Sequence, residues 1–81
     1  MKIDFILIAT GHMNKPRINH TFLNNDDIEE VKVRANEVAV QLEKAGYFVF
    51  DLYDVRTDGA HVRIGSIKVE TVEAIATFKG E

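Results

Sequence analysis

The chain contains no cysteine, which removes disulfides as a stabilising framework and thiolates as nucleophiles or metal ligands. A reducing compartment is therefore the expectation, with the cytoplasm as its default. A single proline occurs, Pro16, and it falls in the most polar stretch rather than in an apolar segment. No run approaches the roughly 20 apolar residues that cross a bilayer. The apolar run after Met1-Lys2 is broken at Asp4, and no small-residue cleavage site follows, so an unprocessed chain without membrane association is expected. The sequon Asn19-His20-Thr21 is then a chance match. Positive charge is not in excess either: ten Lys and Arg stand against thirteen Asp and Glu, a formal charge of −3. That balance argues against a broad nonspecific grip on a phosphate backbone. Repeats, low-complexity tracts and linkers are also missing.

What remains is 81 residues, 46% apolar and 28% charged, the composition of an ordinary globular protein. One domain spanning 1–81 with a small core is expected, and a multi-domain enzyme is excluded. Two segments are strongly apolar, Ile3 to Ala9 and Tyr47 to Val55. In the first, Ile3, Phe5, Leu7 and Ala9 alternate with Asp4, Ile6, Ile8 and Thr10, marking a strand with apolar residues on both faces. In the second, strict alternation puts Phe48, Phe50 and Leu52 on one face and Tyr47, Val49, Tyr53 and Val55 on the other.

The segment from Gly11 to Asn25 has two readings. It is a hairpin turning at Lys15-Pro16-Arg17, with Ile18, His20 and Phe22 on one face of a returning strand, or a long open loop before a helix. The hairpin is favoured. The helix itself follows from Ile28, Val31, Ala35, Val38, Leu42 and Ala45, whose spacing forms one stripe. Asn25 or Asp26 is placed to cap it, Glu29 completes a capping box with Asp26, and Gly46 stops it. The acidic group Asp26, Asp27, Glu29 and Glu30 is what the helix dipole favours in a first turn. Val33 and Val40 fall outside the stripe, as an outward apolar ridge. Beyond the second strand, Arg56-Thr57-Asp58-Gly59 reads as a hairpin loop, with Ala60 to Ile64 returning antiparallel. Gly65-Ser66 is a second tight turn or a bulge. The tail from Glu70 to Lys79 satisfies both helical and strand spacing, and its β-branched residues favour a strand.

These elements define an α+β fold: a single helix packed on one face of a small, mainly antiparallel sheet, in the order β-β-α-β-β with a candidate fifth strand at the tail. One helix shields one face, while two strands are apolar on both. The second face therefore needs the tail, another copy of the chain, or a different partner. Tyr47, Val49, Asp51, Tyr53, Val55 and Arg63 are the expected partner-binding residues, since aromatic anchors beside polar neighbours characterise interface centres.

Catalytic and metal signals are weak. His12, His20 and His61 stand in no ligand motif, no serine or threonine sits in a nucleophile elbow, and alternation sends Asp51 and Asp54 to opposite faces. No catalytic residue, metal or cofactor is assigned. A second polar group, His12, Asn14, Lys15, Arg17 and His20, forms a candidate anion site for a nucleotide or nucleic acid if the segment opens near the helix N-terminus. A small phosphoester hydrolase with His12 or His20 as general base is the remaining alternative. The layout of one helix on a small curved sheet, in a cysteine-free chain of this size, is similar to that of several small phage- or mobile-element-encoded proteins that inhibit host machinery. That resemblance implies a protein partner and transfers no residue.

Overall fold

A computed structural model describes residues 3–23, 27–70 and 72–80. The chain forms β1 (Ile3–Gly11), β2 (Ile18–Leu23), α1 (Ile28–Lys44), β3 (Tyr47–Val55), β4 (His61–Glu70) and β5 (Ile75–Gly80). The strands make one sheet in the order β2-β1-β3-β4-β5, with every neighbouring pair antiparallel. Because β2 and β3 both run antiparallel to β1, they are parallel to each other on either side of it, and α1 is the crossover between them. The α+β fold expected from the sequence is present, and the tail supplies its fifth strand.

The first hairpin forms because two apolar runs are separated by a tight polar turn, in which the Lys15 N–H donates to the His12 carbonyl at 2.9 Å. This rules out the open-loop reading of the segment. Ile18 and Phe22 share the face of Ala9 and Phe5, and Phe22 is buried.

Helix α1 is capped by a residue beyond both candidates, Asn25 and Asp26. Asp27 is the cap, its carboxylate accepting from the backbone of Glu29 at 3.0 Å and Glu30 at 3.4 Å. Asn25 and Asp26, the expected caps, lie outside the described residues. Glu29 pairs with Lys32 at 3.3 Å. The helix ends as expected, with Gly46 at φ 102°, a conformation that costs glycine little. Its buried stripe is Val31, Ala35 and Ala39, flanked by the partly buried Val38 and Leu42. Ala39 rather than Ala45 completes the stripe, since Ala45 is the exposed C-cap. Two buried alanines leave room beneath the helix for the large sheet residues Phe22 and Phe50.

The β3–β4 hairpin closes through Arg56 N–H to the Ala60 carbonyl at 2.8 Å and Gly59 N–H to the Arg56 carbonyl at 2.9 Å. Asp58 accepts from the Ala60 N–H at 3.0 Å, the short-range bond that suits Asp to turns. β4 then continues through Gly65-Ser66 as one strand with a register shift: Leu52 pairs with Gly65 and Tyr53 with Arg63, leaving Ile64 as the extra residue. Of the two readings of this site, the bulge is the one realised. Gly65 is buried, and a Cβ there would collide with the Phe78 ring and the Lys79 carbonyl oxygen. The missing side chain is what lets β5 lay Phe78 over β4.

A second bulge overturns one face assignment. Thr10 pairs with Val49 but Gly11 pairs with Tyr47, so Phe48 is an additional residue in β3. Strict alternation places Phe48 towards the helix and Tyr47 away from it; the bulge reverses both. Tyr47 is 5% exposed and belongs to the core, whereas Phe48 is 57% exposed. The Tyr47 hydroxyl donates to the Pro16 carbonyl at 2.8 Å, and the Lys15 ammonium lies 5.1 Å from its ring centroid. Polar and cationic partners of this kind hold a tyrosine where a phenylalanine would leave the Pro16 oxygen without this bond.

The core, Leu7, Ala9, Phe22, Val31, Ala35, Ala39, Tyr47, Phe50, Leu52 and Ile67, lies between α1 and one face of the sheet. β5 joins the same layer, placing Ala76 and Phe78 against it. The tail thus extends the sheet sideways and does not fold across its other face.

Candidate functional site

Pairing register fixes what the uncovered face presents. Ile6 lies beside Thr21 on β2 and Tyr53 on β3; Ile8 lies beside Asn19 and Asp51; Thr10 lies beside Val49. Further across, Tyr53 pairs with Arg63, Asp51 with Ser66, and Val55 with His61. Lys68 pairs with Thr77, and Ser66 with Lys79. The centre of this face is two strands wide, Ile6 and Ile8 on β1 with Val49, Tyr53 and Val55 on β3, and Asp51 interrupts it on β3 between Val49 and Tyr53. On the β2 side its neighbours are the neutral Asn19 and Thr21, and on the β4–β5 side they are Arg63, Ser66, Lys68 and Lys79.

Five of the six residues expected to contact a partner, Val49, Asp51, Tyr53, Val55 and Arg63, share this face. Tyr47 does not, because the bulge turns it into the core. Asp51 and Arg63 form an ion pair at 3.1 Å across β3 and β4, which holds both side chains down beside the stripe. Val49 is 40% exposed, and Ile6, Ile8, Tyr53 and Val55 are half-buried by their neighbours in the sheet. Ile6 and Ile8 were legible as apolar residues of β1, but assigning them to the site needed the β1–β3 register. Lys68 and Lys79 needed the tail to be a strand in known register.

Of the candidate anion group, four residues gather in one turn and His20 lies apart from them on β2. His12, Asn14, Lys15 and Arg17 occupy the β1–β2 turn region, all exposed. That turn abuts the helix C-terminus, since a Cβ on Gly11 would lie 3.0 Å from the Gly46 carbonyl oxygen. The expected location beside the helix N-terminus is therefore corrected: the cationic group sits at the negative end of the helix dipole, which suits a lysine and not an anion. His12 stacks on Phe48 with ring centroids 5.2 Å apart. His20, which pairs with Leu7, stacks on Phe22 at 4.9 Å. The two histidines are separated by on the order of 15 Å along the strands.

The carboxylates are dispersed in the same way. Asp51 pairs with Arg63 on the open face, Asp54 lies 3.4 Å from Arg56, and Asp58 serves its turn. Among the described residues, no three His, Cys, Asp or Glu side chains gather as a metal site. No described helix is long and apolar enough to cross a membrane. On the helix side, an open cleft of about 360 Å³ lies between the first half of α1 and the sheet, lined by Phe5, Ile28, Lys32, Asp54, Ile64, Phe78 and Gly80. Its polar groups already have protein partners: Lys32 contacts Glu29 and lies 4.8 Å over the Phe78 ring, and Asp54 has Arg56. No protein-family model, no curated protein and no solved structure matches the chain.

Proposed function

We propose that this chain is a non-enzymatic interaction module whose open sheet face binds another polypeptide. The observation that carries this reading is the apolar stripe Ile6, Ile8, Val49, Tyr53 and Val55 on a face that none of the described elements covers. Apolar surface gathered at the centre with polar groups around it is the anatomy of an interface. The Asp51–Arg63 pair, reaching from within the stripe to its β4 side, contributes orientation rather than much affinity, as exposed pairs do. Occupying a partner's surface is the whole activity in this reading, and it requires no acid, base, nucleophile or cofactor.

Val49→Asp places a charge in the stripe, and Tyr53→Ala removes its aromatic anchor. Both variants should keep a native circular dichroism spectrum and lose association, measured as dimer mass by light scattering or as retention of a bound protein. Native association in both variants would refute the reading.

A further inference from the structure

The two ends of the sheet expose different amounts of apolar surface. At the end where β1 turns into β2, β3 begins and β4 turns into β5, the exposed large apolar residues are Met13, Phe48, Val49, Val72 and Ile75. At the opposite end they are, among the described strand residues, Leu23 and Val62. Met13 and Val72 stand at the two turns with essentially all of their side chains in solvent, and Phe48 lies between the turns at the start of β3. Exposed apolar residues gathered in this way mark a contact surface.

The charges around this end are segregated by turn. No acidic residue occurs from Gly11 to Leu23, whose turn region carries Lys15 and Arg17, and no basic residue occurs from Val69 to Phe78, whose turn region carries Glu70 and Glu73. All four are exposed, and among the described residues none of them makes an ion pair. Lys68, two residues before Glu70 on the same face, offsets part of that charge and leaves Glu73 as the larger contribution. The sheet order β2-β1-β3-β4-β5 makes β3 the middle strand, so each turn is centred about 7 Å to one side of it, one and a half strand spacings. The turns also reach a similar level: Gly11 pairs with Tyr47, and the pairing of Phe50 with Ile67 brings Glu70 near the same point.

An end built like this is complementary to itself. A two-fold axis along the sheet normal at the start of β3 lays Lys15 and Arg17 of each copy over Glu70 and Glu73 of the other, with Met13 against Val72 and the two Phe48 rings at the centre. The other two-fold that joins these ends lies in the sheet plane across the strands. It sets each turn on its own equivalent and opposes like charges. Charge therefore selects the first axis, and the middle strand locates it. Glu43 and Lys44, at the end of α1 on the same side of the molecule, carry one charge of each sign and favour neither. The two shorter dimensions of the molecule, 27 and 23 Å, limit the contact to about 600 Å² per copy. About 1,200 Å² in total is the small end of specific interfaces, which makes the dimer a reversible one.

We infer that the chain forms a two-fold dimer through this end of the sheet, the cationic β1–β2 turn of each copy on the acidic β4–β5 turn of the other. The open faces of both copies then look the same way, side by side. Light scattering of the full chain across a concentration series reaching about 1 mM tests this. The mass should rise towards that of a dimer, and added salt should lower it. Phe48→Asp and Met13→Asp, both at exposed positions, should each keep a native circular dichroism spectrum and remain monomeric. Glu70→Lys combined with Glu73→Lys should weaken the dimer at least about tenfold, and adding Lys15→Glu and Arg17→Glu to that variant should restore it. A monomeric mass for the unaltered chain throughout the series would overturn the inference. So would a dimer indifferent to Phe48→Asp and Met13→Asp, or one that the fourfold charge reversal fails to restore. Tyr53→Ala, about 17 Å along β3 from Phe48, should leave the dimer intact. A dimer lost in Tyr53→Ala and kept in Phe48→Asp would be formed by the open face instead. The open-face reading is separate and stands or falls on retention of a bound protein by Tyr53→Ala.

Discussion

β1 and β3 carry apolar residues on both sides, yet the two sides have different environments. On one side Leu7, Ala9, Phe50 and Leu52 are at most 1% exposed beneath α1. On the other, Ile6, Ile8 and Tyr53 remain half-buried, with only strand neighbours for cover. The same alternation thus produces a core where a helix supplies the opposing layer and an accessible surface where none of the described elements does. Apolar patterning records what a strand can bury, while coverage depends on the path of the rest of the chain.

The largest difference between the faces should appear on truncating adjacent residues of β3. Leu52→Ala removes a side chain with no exposed surface and should cost about 3 kcal/mol in urea unfolding, from lost transfer energy and the remaining cavity. Tyr53→Ala, one residue on, should cost less than about 1 kcal/mol. Equal losses would break the comparison by showing that the open face is packed as tightly as the core.

A neighbouring pair on β4 sharpens the comparison in the opposite direction, by adding atoms. Gly65→Ala drives a methyl into the Phe78 ring and the Lys79 carbonyl and should cost about 2 kcal/mol. Ser66→Ala, on the open face, should stay within about 0.5 kcal/mol. The smallest contrast lies at the β3 bulge. Tyr47→Phe leaves the Pro16 carbonyl without its 2.8 Å bond and should cost about 1 kcal/mol, whereas Phe48→Ser should change stability by less than about 0.5 kcal/mol. If Phe48→Ser proves the costlier of the two, the inverted face assignment at the start of β3 is wrong.

Most elements were legible because their signals are local. Pro16 and its flanking polar residues marked the first turn, Asp58-Gly59 the second, the three-four spacing from Ile28 to Leu42 marked α1, and Gly46 its end. The features that escaped depend on residues distant in the chain. Phe48 and Tyr47 exchange faces because Gly11 skips a partner in β3, and nothing within Tyr47 to Val55 signals that skip. Ala39 replaces Ala45 in the buried stripe because α1 ends at Lys44 and Ala45 is its exposed C-cap. His12, Asn14, Lys15 and Arg17 resembled an anion site in the sequence; the hairpin carries them to the C-terminal end of α1 and not to its N-terminus. On the candidate site, alternation grouped Val49, Tyr53 and Val55 with Tyr47, which the bulge then removes, and Asp51 and Arg63 were expected as their polar neighbours. Ile6, Ile8, Lys68 and Lys79 joined them only through pairing register.

The sequence by itself determined the helix, the turns, the β-rich remainder and the surplus of apolar strand surface over helix to cover it, because propensity, capping and periodicity act within a few residues. The tertiary structure alone decided which face stays open and what flanks it. Strand order, the two bulges and the sideways docking of β5 arise from contacts across the sheet, where a single extra residue in one strand reverses the side on which its neighbours lie.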